Sequence, residues 1–231
     1  MRANRWCNLT IIVITSCSAS KYPFIPIDKG SKITCPSYYL EERLLPSLLT
    51  TRERIFRDPR ACLGTEKTYA FDLYVNAGSA YRAIRRKRYP QIKSFLLNTN
   101  DVEWFFLSGG YGIIDAFEEA QSYQASFNYT IAHQNDIPYT AKIWGQSLTA
   151  ICNAIFARFN PTAIYVFGSK DYTQFINHLP PFNARTRLFE STGTAGPYWV
   201  SPILDNLVES ILTNSVDCFD EKYPQSLKQK R

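Results

Sequence analysis

Small and nucleophilic side chains gather at three places in this 231-residue chain. Ser16-Cys17-Ser18-Ala19-Ser20-Lys21 offers short side chains and closely spaced backbone N–H groups, a setting for a phosphate or the polar edge of a base. Ser108-Gly109-Gly110-Tyr111-Gly112 joins glycines that permit close backbone approach to a tyrosine that can stack on a base or sugar. Gly168-Ser169-Lys170-Asp171 is the third such loop. Downstream of the second loop, a carboxylate could polarise water or stabilise the oxocarbenium-like cation of N-glycosidic cleavage. Asp115 stands nearest that loop, whereas Glu118-Glu119 reads equally well as a solvated helix start.

Other chemistries find little support. No loop ends in Gly-Lys-Ser/Thr and no Gly-x-Gly-x-x-Gly occurs, so nucleoside-triphosphate and dinucleotide binding are not indicated. The six cysteines (Cys7, Cys17, Cys35, Cys62, Cys152 and Cys218) are scattered singly, and His133 and His178 are the two histidines. That spacing predicts no metal site and no cofactor, and reads as reduced thiols in a cytoplasmic protein. Cys17 lacks a nearby histidine in the sequence to activate it as a nucleophile.

Cations are concentrated. Lysines and arginines number 26 against 20 acids, a net charge of +6. Five of the cations fall in Arg82-Ala83-Ile84-Arg85-Arg86-Lys87-Arg88, flanked by Tyr81 and Tyr89. On a helix Arg82, Arg85 and Arg86 share one face, a pattern suited to phosphate contacts or to plain solvation. Ser191-Thr192-Gly193-Thr194-Ala195-Gly196-Pro197 precedes a helical stretch and could hold an anion or simply cap it. The sequons at Asn8 and Asn128 read as chance.

These residues need a scaffold. Leu9–Thr15, Val102–Leu107 and Thr162–Phe167 are short and apolar on both faces, as central parallel strands are, and each runs into one of the three loops. Ile14-Thr15-Ser16-Cys17 also has the look of a bacterial lipoprotein signal. The apolar stretch before it is short and β-branched, however, which favours the strand. Helical patterns cover Gly78–Arg88, Ala141–Phe159 (stopped by Pro161), Asp171–His178 and Pro197–Asn214. Tyr22–Arg60 reads as a partly helical insertion and Glu221–Arg231 as a short polar tail. No apolar run reaches the length of a membrane span. The alternation predicts one three-layer α/β domain over residues 1–231 with a mostly parallel sheet, and such sheets bind ligands at the carboxyl ends of their strands. All three loops fall there.

Ile14-Thr15-Ser16-Cys17-Ser18-Ala19-Ser20-Lys21, Asp72-Leu73-Tyr74 with Ser79-Ala80-Tyr81-Arg82, Leu107-Ser108-Gly109-Gly110-Tyr111-Gly112-Ile113-Ile114 and Ser122-Tyr123 together resemble a bacterial and phage family of small α/β domains of unknown function. That family is allied to the peroxide-stress DNA-binding proteins and to a domain of archaeosine synthase. The resemblance spans roughly residues 10–130, with a weaker echo at the glycines of 193–196. It implies a uracil-DNA-glycosylase-like fold and, by association with phage-defence DNA glycosylases, action on modified bases such as glucosylated hydroxymethylcytosine. The family's Pro-Tyr-Asp-like element is Ser122-Tyr123-Gln124 here, so the acid's role does not carry over.

The expectation is therefore a DNA glycosylase of antiviral defence that flips a modified nucleotide out of the stack and leaves an abasic site. Ser16, Cys17, Ser18, Gly109, Gly110 and Tyr111 would hold the base. Asp115 and Asn76 would stand at the reacting bond, with Asn76, Tyr123 and Gln124 reading base or sugar edges. Lys21, Arg82, Arg85, Arg86 and Lys170 would grip the DNA. A non-catalytic DNA-binding stress protein and a small-molecule nucleoside enzyme are the alternatives. The sequence names neither the base nor an oligomeric state.

Overall fold

The β-branched run Ile11-Ile12-Val13-Ile14 has no solvent exposure at all, because it forms the middle of a sheet covered on both sides. The computed structural model describes residues 10–18, 21, 24–176, 184–191 and 196–228, with side chains for 199–226 of the last stretch. Its strands are β1 (Ile11–Ser16), β2 (Lys67–Tyr69), β3 (Val102–Ser108), β4 (Gly112–Asp115), β5 (Glu119–Gln121), β6 (Ala163–Ser169), β7 (Arg185–Ser191) and β8 (Leu227–Lys228). Its helices are α1 (Pro36–Tyr39), α2 (Leu45–Phe56), α3 (Ala70–Val75), α4 (Arg82–Lys87), α5 (Tyr89–Asn98), α6 (Tyr129–Gln134), α7 (Ala141–Phe159), α8 (Lys170–Thr173), α9 (Gly196–Leu212) and α10 (Val216–Lys222).

The main sheet has the order β4-β3-β1-β6-β7-β8, and every neighbouring pair is parallel except β3 with β4. β2 and β5 form a separate antiparallel pair. Alternating side chains of β3 show the two covering layers. Phe105 meets Tyr39 of α1 and Phe159 of α7, whereas Trp104 and Phe106 meet Phe71 and Tyr74 of α3. Tyr165 of β6 packs on Phe219 of α10 on that second side. The fold is thus three-layered α/β with a mostly parallel sheet.

The three strands read from apolar runs are present, each ending one or two residues later than expected. α7 occupies the expected residues and ends where Asn160 turns left-handed (φ 42°) ahead of Pro161. Gly145 interrupts it with φ 46° and ψ −137°, a conformation that a side chain would disfavour. α9 keeps Pro202 inside it. The helix expected over Asp171–His178 is the short α8; residues 177–183 lie outside the described residues, as do 192–195 of the glycine loop.

Two expectations about the second loop's surroundings are corrected. The chain after the second loop does not start a helix but turns back as β4, pairing Ser108 with Gly112 and Phe105 with Asp115. Glu118 is not solvated: it is buried against Arg52, with Nη1 to Oε1 at 2.5 Å. Segment 22–60, read as a partly helical insertion, carries α1 and α2 and contributes to one layer through the buried Tyr39, Leu40, Leu48, Arg52 and Ile55.

Candidate functional site at the carboxyl ends of the strands

Between β1 and β3 the chain lays α1 and α2 on the face that α7 also covers, and then α3 on the other. The loop leaving β1 and α8, which follows β6, meet at the carboxyl end of the sheet, where the Cys17 thiol reaches the Tyr172 hydroxyl. In open α/β sheets ligands bind in the crevice outside the carboxyl ends of the strands, and the first and third loops flank that position at the neighbouring β1 and β6.

Cys17 continues β1, its N–H donating to the Leu107 carbonyl at 2.6 Å, and its thiol donates to the Tyr172 hydroxyl of α8 at 3.7 Å. The Tyr81 hydroxyl donates to the Ser16 carbonyl. Ser18 lies against Gly78, where a Cβ would come within 3.0 Å of the Ser18 Cβ. Beneath these residues is a hydroxyl triangle. Ser108 Oγ and Tyr123 Oη are 2.6 Å apart, Tyr74 Oη donates to both at 3.3 and 3.2 Å, and Tyr111 N–H donates to Ser108 Oγ at 2.9 Å. Lys21 places its Nζ 4.2 Å from the centre of the Tyr123 ring.

Burial pushes the Tyr74, Tyr123 and Tyr172 phenols far above their usual range, so all three carry protons at neutral pH. The same burial pushes the Lys21 ammonium down, partly offset by neighbouring Cys17. The cluster is thus a set of neutral hydroxyls and aromatic faces with one amine, and Tyr74, Ser108 and Tyr123 within it are almost fully buried.

Of the residues expected from sequence, Ser16, Cys17, Ser18, Lys21 and Tyr123 do come together. Lys21 is tucked onto an aromatic ring rather than spread over the surface as a phosphate grip. Arg82 and Arg86 are exposed on α4, which begins directly after Tyr81 at the crevice; Lys170 is exposed at the start of α8. Arg85 is half-buried and donates to the Asn76 carbonyl at 2.7 Å.

The others are placed elsewhere. Asp115 faces Phe105, three residues back from Ser108 on β3, roughly 10 Å along the strand at ~3.3 Å per residue. Its Oδ1 accepts from Phe117 N–H at 2.8 Å, and it lines a small cavity with Lys32, Thr34, Tyr38 and Glu103. Hairpin geometry carries it away from the crevice. Asn76 ends α3, and its amide donates to the Tyr89 hydroxyl at 2.9 Å. Gln124 is exposed, with its N–H on the Ala61 carbonyl. Tyr111 is no free stacking platform: its ring is wedged against Phe56 and Tyr123, with the Arg52 guanidinium over it, and its hydroxyl accepts from Gln121 N–H.

Gly109 and Gly110 serve packing. A Cβ at Gly110 would strike the Tyr123 and Phe56 rings, and one at Gly109 would lie 2.6 Å from the Ala125 carbonyl oxygen. Because that obstacle is backbone, Gly109→Ala is expected to lower stability by about 2–3 kcal/mol in urea denaturation. A glycine merely lining a ligand would leave the midpoint unchanged.

Sequence reasoning passed over Tyr74, Ser108 and Tyr172 as site residues, along with Glu190, a buried carboxylate near the end of β7 that accepts from Thr173 Oγ1 at 2.7 Å. A tyrosine two residues past the Ser169-Lys170 turn was the available signal for Tyr172. No protein-family model matches this chain, and no curated protein matches it in sequence.

Proposed function

We propose that this chain is a DNA glycosylase that draws a modified nucleobase into the crevice between the β1 and β6 loops and cleaves its N-glycosidic bond. The observation that carries the reading is the convergence of the strand-end loops on Cys17, Lys21, Ser108 and three proton-bearing phenols, with the exposed Arg82 and Arg86 alongside. A flipped base is flat, uncharged and rich in hydrogen-bond acceptors. Aromatic faces and neutral donors match it, and a phenol that keeps its proton can hydrogen-bond the base as it departs with the bonding pair. Arg82, Arg86 and Lys170 hold flanking phosphates. The resemblance described above supports a hypermodified base, glucosylated hydroxymethylcytosine being the first to try.

The test is to incubate the protein with DNA carrying that base, and with unmodified DNA, and to measure released base by mass spectrometry and abasic sites by alkaline cleavage. Release from the modified DNA alone is expected. Arg82→Glu with Arg86→Glu should weaken DNA binding at least tenfold in low salt and flatten its salt dependence, with an unchanged melting temperature because both side chains are exposed. Release from free nucleosides that ignores this charge reversal would replace DNA with a small substrate. Salt-dependent binding without any covalent change would leave a DNA-binding protein, and the enzymatic reading would be lost.

A further inference from the structure

Lys21 stands in an unusual place for a basic side chain. It follows the β1 loop, and its Nζ sits over the face of Tyr123, whose hydroxyl belongs to the triangle with Ser108 and Tyr74. It therefore sits against the hydroxyl triangle, where a nucleotide drawn into the crevice would meet it. The Tyr123 ring under it and the Cys17 thiol near it fix the amine on that side of the site. Burial lowers its affinity for a proton, which leaves more of the amine in the form that has a lone pair to donate. Desolvation in an apolar or aromatic setting is the usual way a lysine becomes a nucleophile toward carbonyl carbon.

We propose that Lys21 is an amine nucleophile that gives this protein a second activity, strand incision at abasic sites. The inference rests on the reading that DNA enters this crevice. The open-chain form of an abasic sugar carries an aldehyde at C1′. Lys21 Nζ adds to that carbon; loss of water leaves a C1′=N imine, which takes up one proton. A proton then leaves C2′ to water, the C2′–H electron pair becomes a C2′=C3′ double bond, and the C3′–O bond breaks with the 3′ phosphate as leaving group. Water finally hydrolyses the imine, which returns the free amine and releases an unsaturated aldehyde end. No oxidant or reductant takes part.

An oligonucleotide that already contains one abasic aldehyde tests this without requiring any base release. Adding sodium borohydride reduces the imine to a stable secondary amine, so the chain becomes covalently joined to the DNA. The expected result is a trapped complex whose peptide map places the adduct on Lys21, together with incision of untreated abasic DNA. Lys21→Arg keeps a cation over the Tyr123 ring but cannot form the imine. It should reduce trapping and incision at least 100-fold, whereas binding to a tetrahydrofuran analogue, which has no aldehyde, should fall by less than tenfold. Trapping that persists in Lys21→Arg, an adduct mapped to another residue, or no trapping by the wild-type chain would each overturn the proposal. Base release without trapping would overturn it and leave the glycosylase reading standing. Trapping on Lys21 without base release from any DNA would support it and overturn the glycosylase reading.

Discussion

Arg52→Met is expected to destabilise the protein by about 3–5 kcal/mol, the range found when one partner of a buried ion pair is removed. Arg52 and Glu118 are both almost fully buried. The guanidinium donates through Nη1 to Glu118 Oε1 at 2.5 Å, through Nη2 to the Ile113 carbonyl at 2.7 Å and the Tyr39 hydroxyl at 3.2 Å, and through Nε to the Tyr111 carbonyl at 2.9 Å. Without it the Glu118 carboxylate keeps only the Tyr39 hydroxyl at 2.8 Å among these contacts, and two hairpin carbonyls lose their donor. The effect should reach the crevice as well, because Tyr111 packs edge-on against Tyr123. Urea denaturation checks the size of the loss. Adding Glu118→Leu to Arg52→Met should recover part of it, because the charge that was left buried is then gone. A loss under 1 kcal/mol for Arg52→Met alone would show that the hairpin does not depend on this anchor.

Asp115→Asn should do the opposite and stabilise the protein, by about 2–4 kcal/mol at pH 8. Burial, reinforced by Glu103, raises the Asp115 carboxyl to about 7. An unfolded aspartate titrates near ~3.9. Between those two values the folded state binds the proton more tightly, so stability present at pH 4 is lost as pH rises toward 7 and stays lost above it. An asparagine in the same place is neutral throughout and can still accept from Phe117 N–H. The variant and the wild type should therefore coincide at pH 4 and diverge steadily above it. Some slope should remain, because burial also raises the Glu103 carboxyl. Paired chemical-denaturation curves from pH 4 to 8 would show this. Base release by the variant should match the wild type. A collapse of release with stability intact would return Asp115 to the chemistry.

The two predictions mark where sequence reasoning stops. β1, β3 and β6 are legible because strands covered on both faces have no polar side, and the loops that follow them are legible because small residues cluster there. β4 is not. Gly109-Gly110-Tyr111-Gly112 has the composition of a ligand loop, and only the space around it shows that its glycines admit neighbouring protein atoms. Misreading that turn moved Asp115 to the wrong end of the sheet. β7 escaped notice because Arg185-Thr186-Arg187 leaves its first half polar and partly open. Tyr74 and Tyr172 look like core residues in a sequence with 15 tyrosines, whereas Tyr123 stands out through the resemblance alone. Their hydroxyls become a site only when strands far apart in the chain bring them together, and no local pattern records that.

β1 occupies the centre of the sheet, yet both of its partners lie far downstream: Ile11 pairs with Val102 on one side and Ala163 on the other. At a synthesis rate of about 5–20 residues per second, the second partner leaves the ribosome roughly 8–30 s after the first strand. During that interval Ile11–Ile14 is an apolar strand with a free edge, the kind of segment that aggregates or recruits chaperones. High contact order of this type also slows folding in vitro. Nascent chains truncated before residue 163 should bind chaperones far more strongly than full-length ones, and the Cys17 end of β1 should be among the last parts of the molecule to become resistant to protease.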